Sequence, residues 1–297
     1  MLQEAIDEYI VWLSSRERHG GGNNQNTVVA YRNDLSQLCV YLNRQGVANW
    51  PQVTDEHIAG YLWEMREGQA YRPTTIARKL AALKAFFRFI RSVGVIATDP
   101  AEALETPRAA KELPQVLSVE QVSRLFGQVE VETPSGRRDL AMLHMLYATG
   151  MRVSELVSLN LGDFHETWSM VICRGHPGRN KPERVLPLSP AAVVATQQYL
   201  ETARPHLVLR HPEEQALFLN HHGERLTRQG YWLIVKRYAR QAGITTITPH
   251  MLRHSFALLM LKSGMDLRSV QELMGHAYIS TTQVYSELAR TKTTTSV

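Results

Sequence analysis

The sequence predicts a mainly α protein of two domains. Residues 1–107 read as a four-helix N-terminal bundle, 108–117 as a linker, and 118–297 as a mixed α+β domain with a small antiparallel sheet. Three observations predict this. Apolar residues recur at helical spacing in four segments before residue 94. A stretch of prolines and mixed charges follows, between Thr106 and Pro114. Beyond it, helical segments flank two short β-branched runs around a polar, Gly/Pro-rich turn. With 297 residues, 44% hydrophobic and 21% charged, the chain is long enough to bury two cores.

The elements follow in order. Ile6, Ile10 and Leu13 form one apolar stripe, and Gly20-Gly21-Gly22-Asn23-Asn24 breaks it as a loop. Val28, Tyr31, Leu35, Leu38 and Leu42 mark a second helix, and a third runs from near Thr54 to Arg66. Ile76, Leu80, Leu83, Phe87 and Ile90 mark a fourth, on which Lys84, Arg88 and Arg91 share a different face. That basic stripe reads either as a solvated charged face or as a track for nucleic-acid backbone phosphates. After the linker, Ser118 and Gln121 have capping-box spacing, and a helix from about Arg138 stops at Gly150. Met170–Cys173 and Arg184–Pro187 read as strands, with Ala216–Leu219 as a third. Helices are expected near 190–202, 227–242, 249–264 and 268–274. Ser280 and Gln283 have the spacing of a further capping box, which places Tyr285 in the first turns of a final helix.

The formal charge of +5 fits a polyanionic partner without requiring one. The two cysteines, Cys39 and Cys173, form neither a metal spacing nor a disulfide framework, which suits a cytoplasmic setting. The acidic, amphipathic N-terminus lacks signal-peptide features, and no charge-free apolar stretch is long enough to span a bilayer, so no membrane partner is expected.

Chemistry concentrates in four clusters. Arg152 follows Gly150 at an expected helix start, where backbone N–H groups and a forked guanidinium together suit an anion. The bland alternative is a surface ion pair with Glu155. His250 and Arg253, three apart, share a helix face. His250 and His254, four apart, also fit a zinc spacing, but no third ligand is evident and Arg253 between them repels a cation. His276 follows Gly275, and Tyr285 lies nine residues on. A lone tyrosine is ordinarily a packing residue, and a nucleophilic phenol with a pKa near 10 needs positive neighbours. The set supplies them. It suits attack on a phosphodiester with no metal and no nucleotide. Tyr278, a rival nucleophile, is too close to His276 to share the capped helix.

Taken together, three blocks resemble the tyrosine site-specific recombinases, particularly the bacterial Xer type and the phage integrases. They are Ala148-Thr-Gly-Met-Arg152-Val-Ser-Glu-Leu156, Pro249-His-Met-Leu-Arg-His-Ser-Phe-Ala257 and Leu273-Met-Gly-His-Ala-Tyr-Ile-Ser-Thr-Thr-Gln-Val-Tyr285. The resemblance implies a core-binding, DNA-clamping bundle followed by a catalytic domain. It implies that Tyr285 attacks the scissile phosphate to form a 3′-phosphotyrosyl bond, while Arg152 and Arg253 hold the phosphate oxygens. His250 would assist proton transfer, His276 would donate to the phosphate, and Glu155 would support the site from behind. No cofactor is implied. The partners implied are double-stranded DNA with a specific target site and a homotetramer or heterotetramer with a related recombinase.

One position departs from the family pattern. A Gly-Lys-Gly turn ordinarily supplies the acid that protonates the leaving oxygen, whereas this turn reads Arg174-Gly-His176-Pro-Gly-Arg179-Asn-Lys181. Lys181 is favoured, because a lysine releases a proton far more readily than an arginine. His176 and Arg179 are the alternatives. The short segment after Tyr285 leaves exchange of a C-terminal helix between subunits open. Two other readings compete: a catalytically impaired DNA-binding regulator on the same scaffold, and a relaxing type IB topoisomerase-like enzyme.

Overall fold

The computed structural model describes residues 2–18, 25–104, 113–174 and 183–291. The chain falls into two units that divide near residue 111.

The N-terminal unit has four helices: α1 (Leu2–Arg18), α2 (Gln25–Arg44), α3 (Asp55–Trp63), which widens into a π turn over Glu64–Gly68, and α4 (Pro73–Ser92). The apolar stripes expected from sequence are buried. Ile6, Leu35, Leu38, Leu42, Leu83, Phe87 and Ile90 are fully enclosed. Aromatic edges lock the core, with Trp50 and Phe86 at 4.7 Å between centroids and Tyr9 and Phe86 at 5.5 Å. One ion pair is buried inside it: Lys79 Nζ lies 3.0 Å from Asp34 and also donates to Gln37. The basic stripe of α4 is engaged locally. The Lys84 ammonium reaches the carbonyl of Leu104, Arg88 donates to the Lys84 carbonyl at 3.1 Å, and Arg91 sits 3.5 Å from Glu102.

The C-terminal unit opens with α5 (Val119–Phe126), capped reciprocally by Ser118 and Gln121, then α6 (Pro134–Thr149) and the short α7 (Val153–Ser158). α6 starts a turn earlier than its apolar pattern suggests because Thr133 caps it by accepting from Gly136 N at 2.9 Å. A three-stranded antiparallel sheet follows in the order β1 (Phe164–His165), β2 (Met170–Cys173), β3 (Arg184–Pro187), with Cys173 opposite Arg184 at the end of the ladder. Then come α8 (Pro190–Thr202), α9 (Arg204–Leu207), α10 (Arg228–Gln241), α11 (Pro249–Lys262), α12 (Leu267–Met274) and α13 (Ser280–Thr291).

Two expectations need correction. The third strand is Phe164–His165, not Ala216–Leu219. All four residues of the latter run are fully buried, which gives them a strand-like apolar signature. Their backbone, however, is satisfied by other groups. Arg204 and Arg138 donate to the carbonyls of Ala216 and Leu219, and Leu217 N donates to the Leu159 carbonyl at 2.9 Å. Only single bridges, Asn160 to Ala216 and Leu219 to Arg225, remain of a ladder. Secondly, α13 begins at Ser280 itself. Thr281 N bonds to the Tyr278 carbonyl, and Thr282 N and Gln283 N bond to the Ile279 carbonyl, so the helix starts ahead of the expected Ser280 cap.

Gly150 ends α6 in the left-handed conformation, φ 59°, and a Cβ there would collide with the Phe256 ring. Conformation and space therefore both demand glycine. Gly150→Ala is expected to lower stability by about 1–2 kcal/mol from the backbone alone, and more from the clash. Urea unfolding of the two proteins measures the difference; equal midpoints would remove this account of the turn.

Candidate active site

The site is built where α6, α7, α11, α12 and α13 converge with β3. Two left-handed glycines, Gly150 after α6 and Gly275 after α12, turn the chain sharply beside it. α12 is held at its start by Asp266, which accepts from Arg268 N and Ser269 N. At its end, three successive carbonyls face guanidiniums. Arg184 donates to Leu273, Arg253 to Met274, and Arg152 to Gly275 at 2.9 Å. Arg253 also donates to the Gly150 carbonyl. The C-terminus of a helix carries unpaired carbonyls and partial negative charge, so it suits three cations.

Glu155 holds two of them from the other side. As the third residue of α7 it accepts from Arg152 N at 2.7 Å and from the Arg152 guanidinium at 2.9 Å, and it pairs with Arg184 at 2.8 Å. Burial alone would raise its carboxyl. The Arg152 backbone N–H and the Arg184 and Arg152 charges outweigh that and hold it below the usual carboxylate range. Arg253 is 4% exposed. Burial and the nearby Arg152 charge bring it down to about 9, so at neutral pH it remains a cation.

Tyr285 lies on α13, where Thr282, Tyr285 and Leu288 form one buried stripe. Its ring packs with Phe256, Ala257, Val270 and Met274, and residue exposure is 3%. The hydroxyl is not idle in that packing. It lies 2.6 Å from His254 Nδ1. Burial raises the phenol above its ordinary value, although the Arg253 charge pulls it back. His276 stacks beside the same ring at 6.3 Å and 13°, with Nδ1 2.9 Å from the Thr282 hydroxyl. Burial, then Arg253 and Arg152, push His276 down to about 3. His250 stands on the first turn of α11 and is exposed; its ring centroid is 6.0 Å from that of His254. Burial and the charges of Arg253, Arg152 and Arg228 lower it as well.

Arg152, Glu155, Arg253, His254, His276 and Tyr285 are thus brought together. Lys181, His176 and Arg179 lie outside the described residues. Tyr278, the rival phenol, is 74% exposed. Sequence reasoning missed three participants. Arg184 carried no motif, although strand alternation places it opposite Cys173. Thr282 read only as part of a cap. His254 was visible beside Arg253 but was weighed only as half of a zinc pair. Among the described residues, no group of three His, Cys, Asp or Glu side chains is arranged to hold a metal ion.

A model of the phage integrase family matches residues 115–292, and the N-terminal SAM-like domain of phage integrases matches residues 6–94. The chain belongs to this family, the tyrosine recombinases, enzymes of DNA recombination. Relatives of the Xer type resemble it along nearly its whole length. It is 44% identical over 289 residues to tyrosine recombinase XerC of Roseiflexus castenholzii, covering 97% of this chain and 90% of the relative. It is 40% identical over 292 residues to tyrosine recombinase XerD of Listeria innocua, covering 97% and 95%. The fold matches XerH recombinase bound to a palindromic difH substrate in a post-cleavage complex, with a TM-score of 0.74, 21% identity, and coverage of 90% and 77%. It also matches a lambda integrase dimer bound to a COC′ core site, with a TM-score of 0.72, 19% identity, and coverage of 96% and 94%.

Two outcomes follow from the site's charges. Arg184→Met leaves a buried carboxylate with one partner fewer and is expected to cost about 3 kcal/mol of stability, read from chemical denaturation. No loss would show that Arg152 alone satisfies Glu155. The second concerns pH. His276 and His254 have folded-state values, about 3 and about 4, below the unfolded value near 6.5. The unfolded chain therefore binds the extra protons as pH falls below about 6.5, and stability declines through that window. Thermal melts of the intact chain and of His276→Gln should diverge above it and converge toward acid, because the variant has lost one such group. Parallel curves would sink this assignment.

Proposed function

We propose that the chain cuts and rejoins double-stranded DNA at a specific site through a 3′-phosphotyrosyl intermediate, using neither a metal nor ATP. The observation that carries the reading is the placement of the Tyr285 hydroxyl, hydrogen-bonded to an imidazole and within the field of Arg253. Attack by the phenol oxygen on phosphorus forms the P–O bond and expels a 5′-oxygen. Arg152 and Arg253 hold the non-bridging oxygens and offset the charge that develops. Each such donor contributes about 10²–10³-fold to the rate. The excess of guanidinium over carboxylate at the site, three groups against Glu155, favours an arriving phosphodiester.

His276 has a defined part in this scheme. Its Nδ1 lies 2.9 Å from the Thr282 hydroxyl, which leaves Nε2 to donate to a phosphate oxygen. His250, on the first turn of α11, assists proton transfer to and from the tyrosine. Lys181, from the segment between β2 and β3, protonates the leaving oxygen, with His176 and Arg179 as its alternatives. Because the phosphotyrosine conserves the bond energy, a 5′-hydroxyl from another strand reseals it without a nucleotide. The N-terminal unit, residues 1–107, clamps the duplex, with Lys84, Arg88 and Arg91 exchanging their local partners for phosphates. The working assembly is a tetramer, of one or two kinds of subunit, in the cytoplasm. No helix among the described residues is long and apolar enough to cross a membrane.

A nicked suicide duplex carrying the native site tests the chemistry. The intact chain should give an SDS-stable protein–DNA product, and Tyr285→Phe should give none; a persistent band in that variant refutes the nucleophile. Lys181→Ala should slow cleavage by about 10²-fold or more, and a 5′-phosphorothiolate, whose leaving sulfur needs no proton, should restore it. Rescue of His176→Ala instead would transfer the role. Affinity should fall with salt at a slope of about −0.9 per neutralised phosphate.

A further inference from the structure

In the proposed chemistry Arg152 and Arg253 meet the phosphate, and Arg184 is left without a part. We infer that Arg184 is a positioning residue for strand cleavage: by holding one oxygen of Glu155 and the last turn of α12, it keeps the Arg152 guanidinium turned to the phosphate instead of folded onto Glu155. The inference rests on the phosphotyrosyl reading and adds to it a group that acts through Glu155 rather than on the DNA.

Arg184 is the first residue of β3 and pairs with Cys173 of β2, so the two side chains leave the same face of the sheet. Its guanidinium is spread over three neighbours. It meets the Cys173 sulfur at 3.3 Å, the Glu155 carboxylate at 2.8 Å, and the Leu273 carbonyl. The side chain is only 14% exposed, so it serves these partners rather than an arriving ligand. Among the described residues, it is the one side chain that joins the end of the β2–β3 ladder to both Glu155 and the α12 terminus.

The two Glu155 oxygens are divided between the arginines. Oε2 accepts from the Arg152 backbone N–H at 2.7 Å and faces Arg184, while Oε1 accepts from the Arg152 guanidinium at 2.9 Å. A guanidinium beside a free carboxylate favours the two-pronged pair, one donor to each oxygen. Arg184 blocks that pair by occupying Oε2. Arg152 therefore gives one nitrogen to Glu155, and another donates to the Gly275 carbonyl at 2.9 Å. That second contact depends on Arg184 too. The carbonyls of Leu273, Met274 and Gly275 are consecutive, and the first of them is tied to Arg184. A carboxylate shared by two guanidiniums neutralises neither fully, so Arg152 keeps charge and donors for a phosphate oxygen. The field of Arg184 reaches deeper as well. Burial is the largest cause of the low values of Arg253 and His276, and the Arg184 charge adds to the shift of each.

The test measures strand cleavage by Arg184→Met on the nicked suicide duplex. Methionine roughly keeps the apolar stem and removes the charge and the donors. At saturating DNA, cleavage should slow by about 10–100-fold, while the half-saturating DNA concentration moves by less than about threefold. A methylphosphonate at the scissile position lacks one charged non-bridging oxygen, the group Arg152 serves. On that substrate the loss should shrink to about threefold or less. A 5′-phosphorothiolate should leave the loss in place, because Arg184 gives no proton to the leaving oxygen. Cleavage at the intact rate, an equal loss on methylphosphonate and phosphodiester, or full rescue by the phosphorothiolate each overturns the inference. Should Arg184→Met unfold, Arg184→Lys, which keeps a cation but loses the fork, carries the same comparison. Should the intact chain leave the methylphosphonate uncut, Glu155→Gln decides. On that background Arg184→Met should cost less than about threefold, and a full second loss overturns the inference. Failure of the underlying reading looks different: the intact chain forms no covalent product, or Tyr285→Phe still does.

Discussion

Three guanidiniums converge on the last carbonyls of α12, and the rest of the site depends on that convergence. A buried cation needs every donor satisfied, or desolvation makes it costly. Arg253 donates to backbone oxygens, those of Gly150 and Met274, and among the described residues no carboxylate pairs with it. Arg152 and Arg184 share one carboxylate, Glu155, and each takes a further carbonyl from α12. Positive charge is thereby kept high while the donors stay ordered. This arrangement also explains Gly275. A Cβ there would lie 2.6 Å from the Arg184 guanidinium, and the left-handed turn it permits exposes the very carbonyls the arginines use.

The same helix end sets the position of the nucleophile. The turn after Gly275 carries His276 and leads within a few residues to α13, whose buried stripe pins Tyr285 beneath α11. Burying one large aromatic contributes about 2 kcal/mol, comparable with the cost of displacing it. A phenol held this way has little freedom to wander. Its hydroxyl must then find a partner inside, as buried hydroxyls do, and the partner is an imidazole that burial has made neutral. Packing and hydrogen bonding are therefore satisfied together.

The sequence made much of this legible, for physical reasons. The helices with a single apolar stripe, such as Leu35, Leu38 and Leu42 on α2, were found because burial repeats at 3.6 residues. Gly150 was legible as a helix stop because left-handed backbone selects glycine. Arg152, Arg253, His276 and Tyr285 were legible only as a joint pattern. Ala216–Leu219 misled because a segment buried on every side loses its period, and its backbone partners, Arg138 and Arg204, are remote in sequence. Arg184 was invisible for a related reason. One strand arginine among 33 basic residues has no local signature, and its importance comes from Glu155 and Leu273, elements far along the chain.

The sheet then acquires a purpose beyond stability. Its ladder of β2 and β3 ends at Cys173 and Arg184, and Arg184 is bonded both to Glu155 and to the α12 terminus. The two strand ends flanking residues 174–183 are therefore anchored at the site itself.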